Sequence, residues 1–293
     1  MNKKKSELIF IVSCLAPAFI LACLFIAWPT ISVFTESLFN KRGMLSAGEF
    51  VGLKNFEILF RDTQFIQSMQ NIILIITLVT IFTLVLAILF ATLLTREKFR
   101  GNDFFRIIFY IPNILSIVVI AGMFQAIYQR SNGILNTVLS SIGLDSLALD
   151  WFGDPNIIMY SIIFALIWQA IGYYMVMYMS AMSSIPENLY EAAGLEGAGK
   201  IKQFFMITLP LIWDNIRSTL TFFVISTINL SFMFVQITTE GNLGTQVPLL
   251  YMYDKAYAGN YSYGMACGVC IFIFSFVLSA IISKVTERDV YEF

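Results

Sequence analysis

Two cysteines three residues apart, Cys267-Gly-Val-Cys270, have the spacing of a redox couple or half a zinc site. They stand inside an apolar run with no second pair near them, as Cys14 and Cys23 do in theirs, so they read as small packing residues. The chain has no histidine, which removes the commonest general base and metal ligand. Its acids do not cluster within the apolar stretches, and a membrane-embedded enzyme would have little chemistry to work with. What remains is neutral and polar: Gln169, Tyr173 and Tyr174 in one apolar stretch, and Ser226, Thr227, Asn229 and Ser231 in another, beside Phe223 and Phe232. Polar groups inside a membrane span are costly and usually face a cavity or the bundle interior. On a helix, residues 223, 226, 227 and 230 share one face with Asn229 next to it. Aromatic rings beside hydroxyls and amides suit a sugar, and the lack of charge near mid-span argues against an ionic solute bound there. The plainer role for such residues is hydrogen bonding between helices, worth about 0.6 kcal/mol per contact.

The elements that must hold these residues are spelled out by composition. Of 293 residues 58% are apolar and only 13% charged, with a mean hydropathy of +0.78. A soluble domain carries about a quarter charged residues, so this chain is solvated by lipid. A net charge of −1 leaves no basic footprint for nucleic acid. Crossing a bilayer core of ~30 Å takes about 20 apolar residues. Six stretches qualify: about 8–35, 72–94, 106–129, 157–180, 213–237 and 264–284. The first follows Lys3-Lys4-Lys5 and contains Ile20-Leu21-Ala22-Cys23, which looks like a lipoprotein cleavage box. Its apolar run continues to about Phe34, so it is expected to be an uncleaved span.

Lys and Arg set the orientation. With the N-terminus inside, twelve lie on the cytoplasmic side (Lys3, Lys4, Lys5, Arg96, Lys98, Arg100, Arg106, Lys200, Lys202, Arg217, Lys284, Arg288) and six outside. Both termini are therefore expected in the cytoplasm. In the first outer loop Phe50, Leu53, Phe56, Leu59 and Phe60 recur at helical spacing among charges, which predicts a helix in the membrane interface.

The inner connection at 184–210 is predicted to be helix, glycine turn, helix. Ser184 is placed to cap, Pro186 fits an opening turn, and Glu187 suits the positive end of the helix dipole. Gly194, Gly197 and Gly199 break the helix after Ala192 and Ala193, and a second turn runs from about Lys200 to before Pro210. Glu187, Glu191 and Glu196 offer an acidic exposed side, while apolar Leu189, Tyr190, Leu195 and Phe204 are available to insert elsewhere. Such a helix can be gripped by a soluble partner, or it can be an ordinary interfacial linker.

Here the sequence resembles a family. Glu191-Ala192-Ala193, Gly197 six residues later and Ile207-Thr208-Leu209-Pro210 resemble the EAA loop of binding-protein-dependent ABC importer permeases, with Glu196 where Asp is usual. Gly52-Leu53-Lys54-Asn55-Phe56, Asn71, Thr239-Glu240-Gly241 and the stretch from Tyr253 to Tyr257 resemble the maltose-permease-like sugar subgroup, although Asn242 and Leu243 depart from its Thr-x-Gly-Gly-Pro. The resemblance implies an all-α polytopic membrane protein of the type I importer fold, a single permease domain over 1–293 with six spans. It implies that Glu187, Tyr190, Glu191, Ala192, Ala193, Leu195, Glu196 and Gly197 meet a cytosolic ATPase, and that Tyr173, Thr227 and Asn229, with Gln169, Phe223 and Ser226 behind them, contact a sugar.

The implied partners are a second homologous permease subunit, a dimer of ATPase subunits, an extracellular solute-binding protein and a sugar, in a bacterial or archaeal cytoplasmic membrane. The chain lacks a Gly-x-x-x-x-Gly-Lys-Ser/Thr loop. ATP and Mg are therefore expected on the separate ATPase, with no cofactor on this chain. Alternatives are a permease for a polyol or glycerol phosphate, and an ion-coupled transporter. The latter calls for ionisable groups at mid-membrane and often inverted repeats.

Overall fold

The computed structural model describes residues 3–96 and 101–288; Lys98 and Arg100, and the side chains of Lys3, Lys4, Lys5 and Arg96, lie outside what is described. Fourteen α-helices form in these residues: α1 Lys3–Ala22, α2 Trp28–Glu36, α3 Lys54–Leu59, α4 Thr63–Arg96, α5 Asn102–Ile114, α6 Ile117–Ile127, α7 Ile134–Ser141, α8 Ile158–Ser183, α9 Glu187–Leu195, α10 Lys200–Gln203, α11 Leu209–Leu211, α12 Trp213–Thr238, α13 Pro248–Tyr257 and α14 Tyr261–Val285. A two-residue hairpin, β1 Phe39–Asn40 with β2 Glu49–Phe50, pairs Phe39 with Phe50 and Asn40 with Glu49. Among the described residues five helices are long and apolar enough to cross a membrane, the first being Phe10–Glu36, which runs through Cys23 without a break.

The third of the six stretches, expected as one span over 106–129, is made of two helices, α5 and α6, bent by 103°. Leu115 and Ser116 are extended, with ψ 145° and 148°. The Ser116 hydroxyl then caps α6, accepting from the Val119 amide at 3.4 Å. A serine cap satisfies one of the amides that a new helix start leaves open.

Two π-helical turns, Cys23–Ala27 and Phe204–Thr208, each end two residues before a proline, Pro29 and Pro210. Proline has no N–H, and its ring collides with the carbonyl four residues back. A widened turn just ahead of it takes the chain through without a stop.

The chain divides into two compact units, Met1–Ile66 with Tyr251–Ile273, and Gln67–Leu250 with Phe274–Phe293. In the first, no residue of α2 or of the π turn before it is buried, and Phe19, Phe25 and Trp28 are each about 70% exposed. The Asn55 carboxamide donates to the Ser37 and Phe39 carbonyls at 2.8 and 2.7 Å, tying α3 to the hairpin. This helix is six residues long, with Asn55 and Leu59 turned inward, rather than the longer interfacial helix the sequence predicts. Asp62 caps α4 through the Gln64 and Phe65 amides, and its other carboxylate oxygen accepts from the Tyr251 and Tyr263 hydroxyls.

In the second unit α8 is the central helix, packed against α5 and α12. Ile162, Leu166, Met175 and Tyr178 on it are all but fully buried. Its apolar length suits a helix surrounded on several sides. It ends at Ser183 because a proline two residues beyond Ser184 disfavours helical backbone at the residue before it. The Asn71 carboxamide clamps the turn after α12, donating to the Gly244 and Gln246 carbonyls at 2.7 and 2.8 Å. Glu240 and Leu243 of that turn hold left-handed backbone, with φ 52° and 55°.

Candidate functional site: a polar cavity and an acidic loop

A cavity of about 750 Å³ opens between α5, α8 and α12 of the second unit. Asn113 of α5, Gln169, Tyr173 and Tyr174 of α8, and Phe222, Ser226 and Asn229 of α12 supply its polar and aromatic wall. No charged residue lines it among those described. The Tyr174 ring packs on Phe223 with centroids 4.4 Å apart, and Tyr173 meets Tyr174 edge-on at 5.2 Å. Tyr178 and Thr219 share a hydrogen bond of 2.7 Å, fixing α8 against α12. Gln169 is 93% buried, and its Oε1 has no hydrogen-bond partner among the described residues. A buried amide oxygen without a partner carries a desolvation cost that a donor entering the cavity would remove.

Five of the six sequence-named pathway residues therefore come together: Gln169, Tyr173, Phe223, Ser226 and Asn229. Thr227 does not. It is 1% exposed, and its hydroxyl donates to the Phe223 carbonyl at 2.8 Å. The cavity stripe on α12 is Phe222, Ser226, Asn229 and Met233, a sequence of four- and three-residue steps. One residue beyond Ser226 turns the side chain towards the core. Asn113 was missed as a wall residue; its signal was an amide beside Pro112 inside an apolar run.

The loop after α8 has the predicted plan with different details. Pro186, not Ser184, holds the N-cap position of α9, while the Ser184 hydroxyl donates back to the Ala181 carbonyl at 2.8 Å. Gly197 turns the chain with φ 81°, the left-handed region where a Cβ is penalised. Glu187, Glu191 and Leu195 form one exposed stripe of α9, with Leu195 92% exposed; Ala192, Glu196 and Gly197 are exposed too, and Ala193 is half-buried. Tyr190, beside that stripe, points into the protein. It is 6% exposed and shares a hydrogen bond of 2.9 Å with the Thr208 hydroxyl. A second cavity, of about 330 Å³, lies between the end of α4 at Thr92 and Thr95 and this loop at Glu187, Glu191 and Gln203. Gly194, Gly199 and Lys200 have the Gly-x-x-x-x-Gly-Lys spacing, but Ile201 replaces the hydroxyl, Gly194 is inside α9, and a helix rather than a strand leads in.

The profile of the family described as binding-protein-dependent transport system inner membrane component matches residues 84–290. A probable ABC transporter permease protein of Pyrococcus horikoshii is 34% identical over 94% of this chain and 95% of its own length. The diacetylchitobiose uptake system permease protein of Streptomyces coelicolor is 28% identical over 84% of this chain and 73% of its own. Two solved structures of a bacterial ABC transporter of the acidic polysaccharide alginate superpose with a TM-score of 0.82, at 25% and 26% identity. They cover 97% of this chain and 96% and 93% of theirs, and one is in complex with a periplasmic protein bound to an alginate pentasaccharide. The chain belongs to the family of binding-protein-dependent transport system inner membrane components. It is an all-α, multi-pass membrane permease of an ABC importer.

Proposed function

We propose that this chain forms half of the translocation pathway for a neutral sugar or oligosaccharide, worked by ATP hydrolysed on a separate subunit. The observation that carries this reading is the uncharged wall of the larger cavity, where amides, hydroxyls and aromatic rings face one another with no cation among them. Sugar hydroxyls exchange water for such amides and hydroxyls, and the apolar ring face stacks on aromatic side chains. An acidic solute would leave its charge unpaired in a low-dielectric site. Among the relatives, the diacetylchitobiose uptake system is therefore the better guide to substrate than the alginate transporter.

In this proposal α9 is a coupling helix. Its Glu187, Glu191 and Leu195 stripe docks on one subunit of a cytosolic ATPase dimer, which binds the ATP and Mg, and Gly197 lets the chain turn against it. ATPase closure then switches the permease between inward- and outward-facing states. The bias of Lys and Arg supports termini and α9 in the cytoplasm, in a bacterial or archaeal inner membrane. A second permease completes the pathway, and an extracellular binding protein delivers the solute.

The test is uptake into proteoliposomes holding the assembled complex, with its binding protein outside and ATP inside. Radiolabelled diacetylchitobiose and an alginate oligosaccharide serve as neutral and acidic probes. The expected result is ATP-dependent uptake of the neutral probe alone. Uptake of the acidic one, or uptake driven by an ion gradient without ATP, contradicts the proposal.

A further inference from the structure

The same loop holds a polar joint that the proposed docking surface does not use. Tyr190 leaves α9 beside the Glu187 and Glu191 stripe, bordering the second cavity with them, and enters the protein. Its hydroxyl meets the Thr208 hydroxyl at 2.9 Å, with the two residues 6% and 2% exposed. Thr208 is the last residue of the second π turn, five residues before α12 begins at Trp213. The Gln203 amide, on α10, donates to the Ala198 carbonyl at 2.9 Å and to the Tyr190 carbonyl at 3.4 Å. The glycine turn at 196–199 is thereby tied both to α9 and to the chain that follows it.

These contacts form one path. A buried hydroxyl pair is short, directional and shielded from water, whereas Gly197 and Gly199 on the covalent route are free to bend. A push on α9 along the backbone alone would be absorbed at the glycines. Through Tyr190 it arrives at Thr208, and from there at α12, whose Phe222, Ser226 and Asn229 line the larger cavity. We infer that the Tyr190–Thr208 hydrogen bond is the joint by which α9 moves α12, so that Tyr190, Thr208 and Gln203 are positioning residues for transport rather than contacts for the ATPase. The inference rests on the reading of α9 as a coupling helix.

Chemistry separates this role from a structural one. Replacing Tyr190 by Phe leaves a buried Thr208 hydroxyl without its partner, which destabilises. Replacing both, as Tyr190→Phe with Thr208→Val, removes donor and acceptor together and costs less. A merely structural bond therefore predicts recovery in the double variant, whereas a joint predicts none, and Thr208→Ser, which keeps the hydroxyl, should behave as wild type.

The measurement uses the full complex, its four native cysteines in this chain replaced by serine, with spin labels at Ile108→Cys on α5 and Ser218→Cys on α12, both exposed and outside the cavity lining. The label–label distance is recorded without nucleotide and after trapping with ATP and vanadate. In the wild-type background trapping should shift the distance. With Tyr190→Phe, and equally with the double variant, the shifted population should fall by roughly five- to tenfold, the factor a lost buried hydrogen bond supports, while the ATPase subunits still co-purify. A full shift in the double variant overturns the joint. Loss of ATPase co-purification with Tyr190→Phe overturns it as well, because it makes Tyr190 a docking contact. No shift in the wild-type background is a different failure: the coupling reading of α9 falls, and the joint falls with it.

Discussion

Gly172 of α8 lies against the backbone of Phe109 in α5 so closely that a Cβ there would stand 2.9 Å from the Tyr110 Cα, and nearer still to the Phe109 carbonyl. Backbone cannot swing aside as a side-chain tip can. Glycine at 172 is what lets α5 reach α8 and bring Asn113 into the cavity wall that Tyr173 shares. Gly172→Ala should therefore cost about 3 kcal/mol or more, at the upper end of overpacking. Thermal unfolding of the detergent-solubilised chain checks this, and a melting temperature equal to wild type would contradict the contact.

Around Gly197 the situation is the reverse. Nothing lies within 4 Å of a Cβ added there, yet φ is +81°. Any effect of substitution is then conformational, about 1–2 kcal/mol for an ordinary L-residue in left-handed backbone. Coupled ATP hydrolysis should fall in the order Asn, Ala, Val, with Asn mildest because it tolerates that region. An equal response to all three would mean that the turn's backbone is not what matters.

The Asp62 cluster sets a pH window for the first unit. Burial opposes ionisation of Asp62, but the Tyr251 and Tyr263 hydroxyls and the Gln64 and Phe65 amides outweigh it, holding the carboxyl below the usual range. Its stabilising contribution is therefore full above the unfolded carboxyl's pKa of about 4 and is lost as pH falls through the lower folded value. Burial, followed by Asp62 as acceptor, pushes the Tyr251 phenol up, so the donor side is lost only as pH rises far above its usual value of about 10. Resistance of the segment between α2 and α4 to proteolysis should be flat from about pH 5 to 9 and fall in acid. Asp62→Ala should lower stability throughout, by about 1 kcal/mol for the lost helix cap alone.

Gln169 and Thr227 separate cavity wall from helix packing. Gln169→Leu removes the unpartnered amide oxygen and should reduce uptake by about tenfold, as loss of one buried hydrogen bond to solute permits. Thr227→Val faces the core and removes a hydroxyl that bonds back to its own helix, so uptake should stay within about twofold. Initial uptake rates at subsaturating solute decide it, and the opposite ranking would restore the face that the sequence alone suggests.

Much of the fold was legible because lipid imposes a crude rule. Six apolar runs of about 20 residues are hard to hide, and the glycines and Pro186 announce the loop after α8. The bend at Leu115 and Ser116 was not legible, since neither residue breaks a helix by itself and Pro112 stands inside α5. The rotation of α12 was missed for a different reason. Several polar residues crowd 226–231, and only packing against α8 decides that Asn229 faces the cavity while Thr227 faces the core. Tyr190 looked available to a partner because Thr208, which holds it, is 18 residues away in sequence. Asn71 and Gly244, 173 residues apart, pose the same difficulty.

The central claim is that this permease is driven through the exposed stripe and turn of α9. The most direct test is binding-protein-stimulated ATP hydrolysis and uptake by the reconstituted complex carrying Glu191→Ala together with Gly197→Val. The account predicts that both activities are abolished while this chain remains folded and inserted in the membrane. Stimulated hydrolysis and uptake at wild-type rates would contradict it.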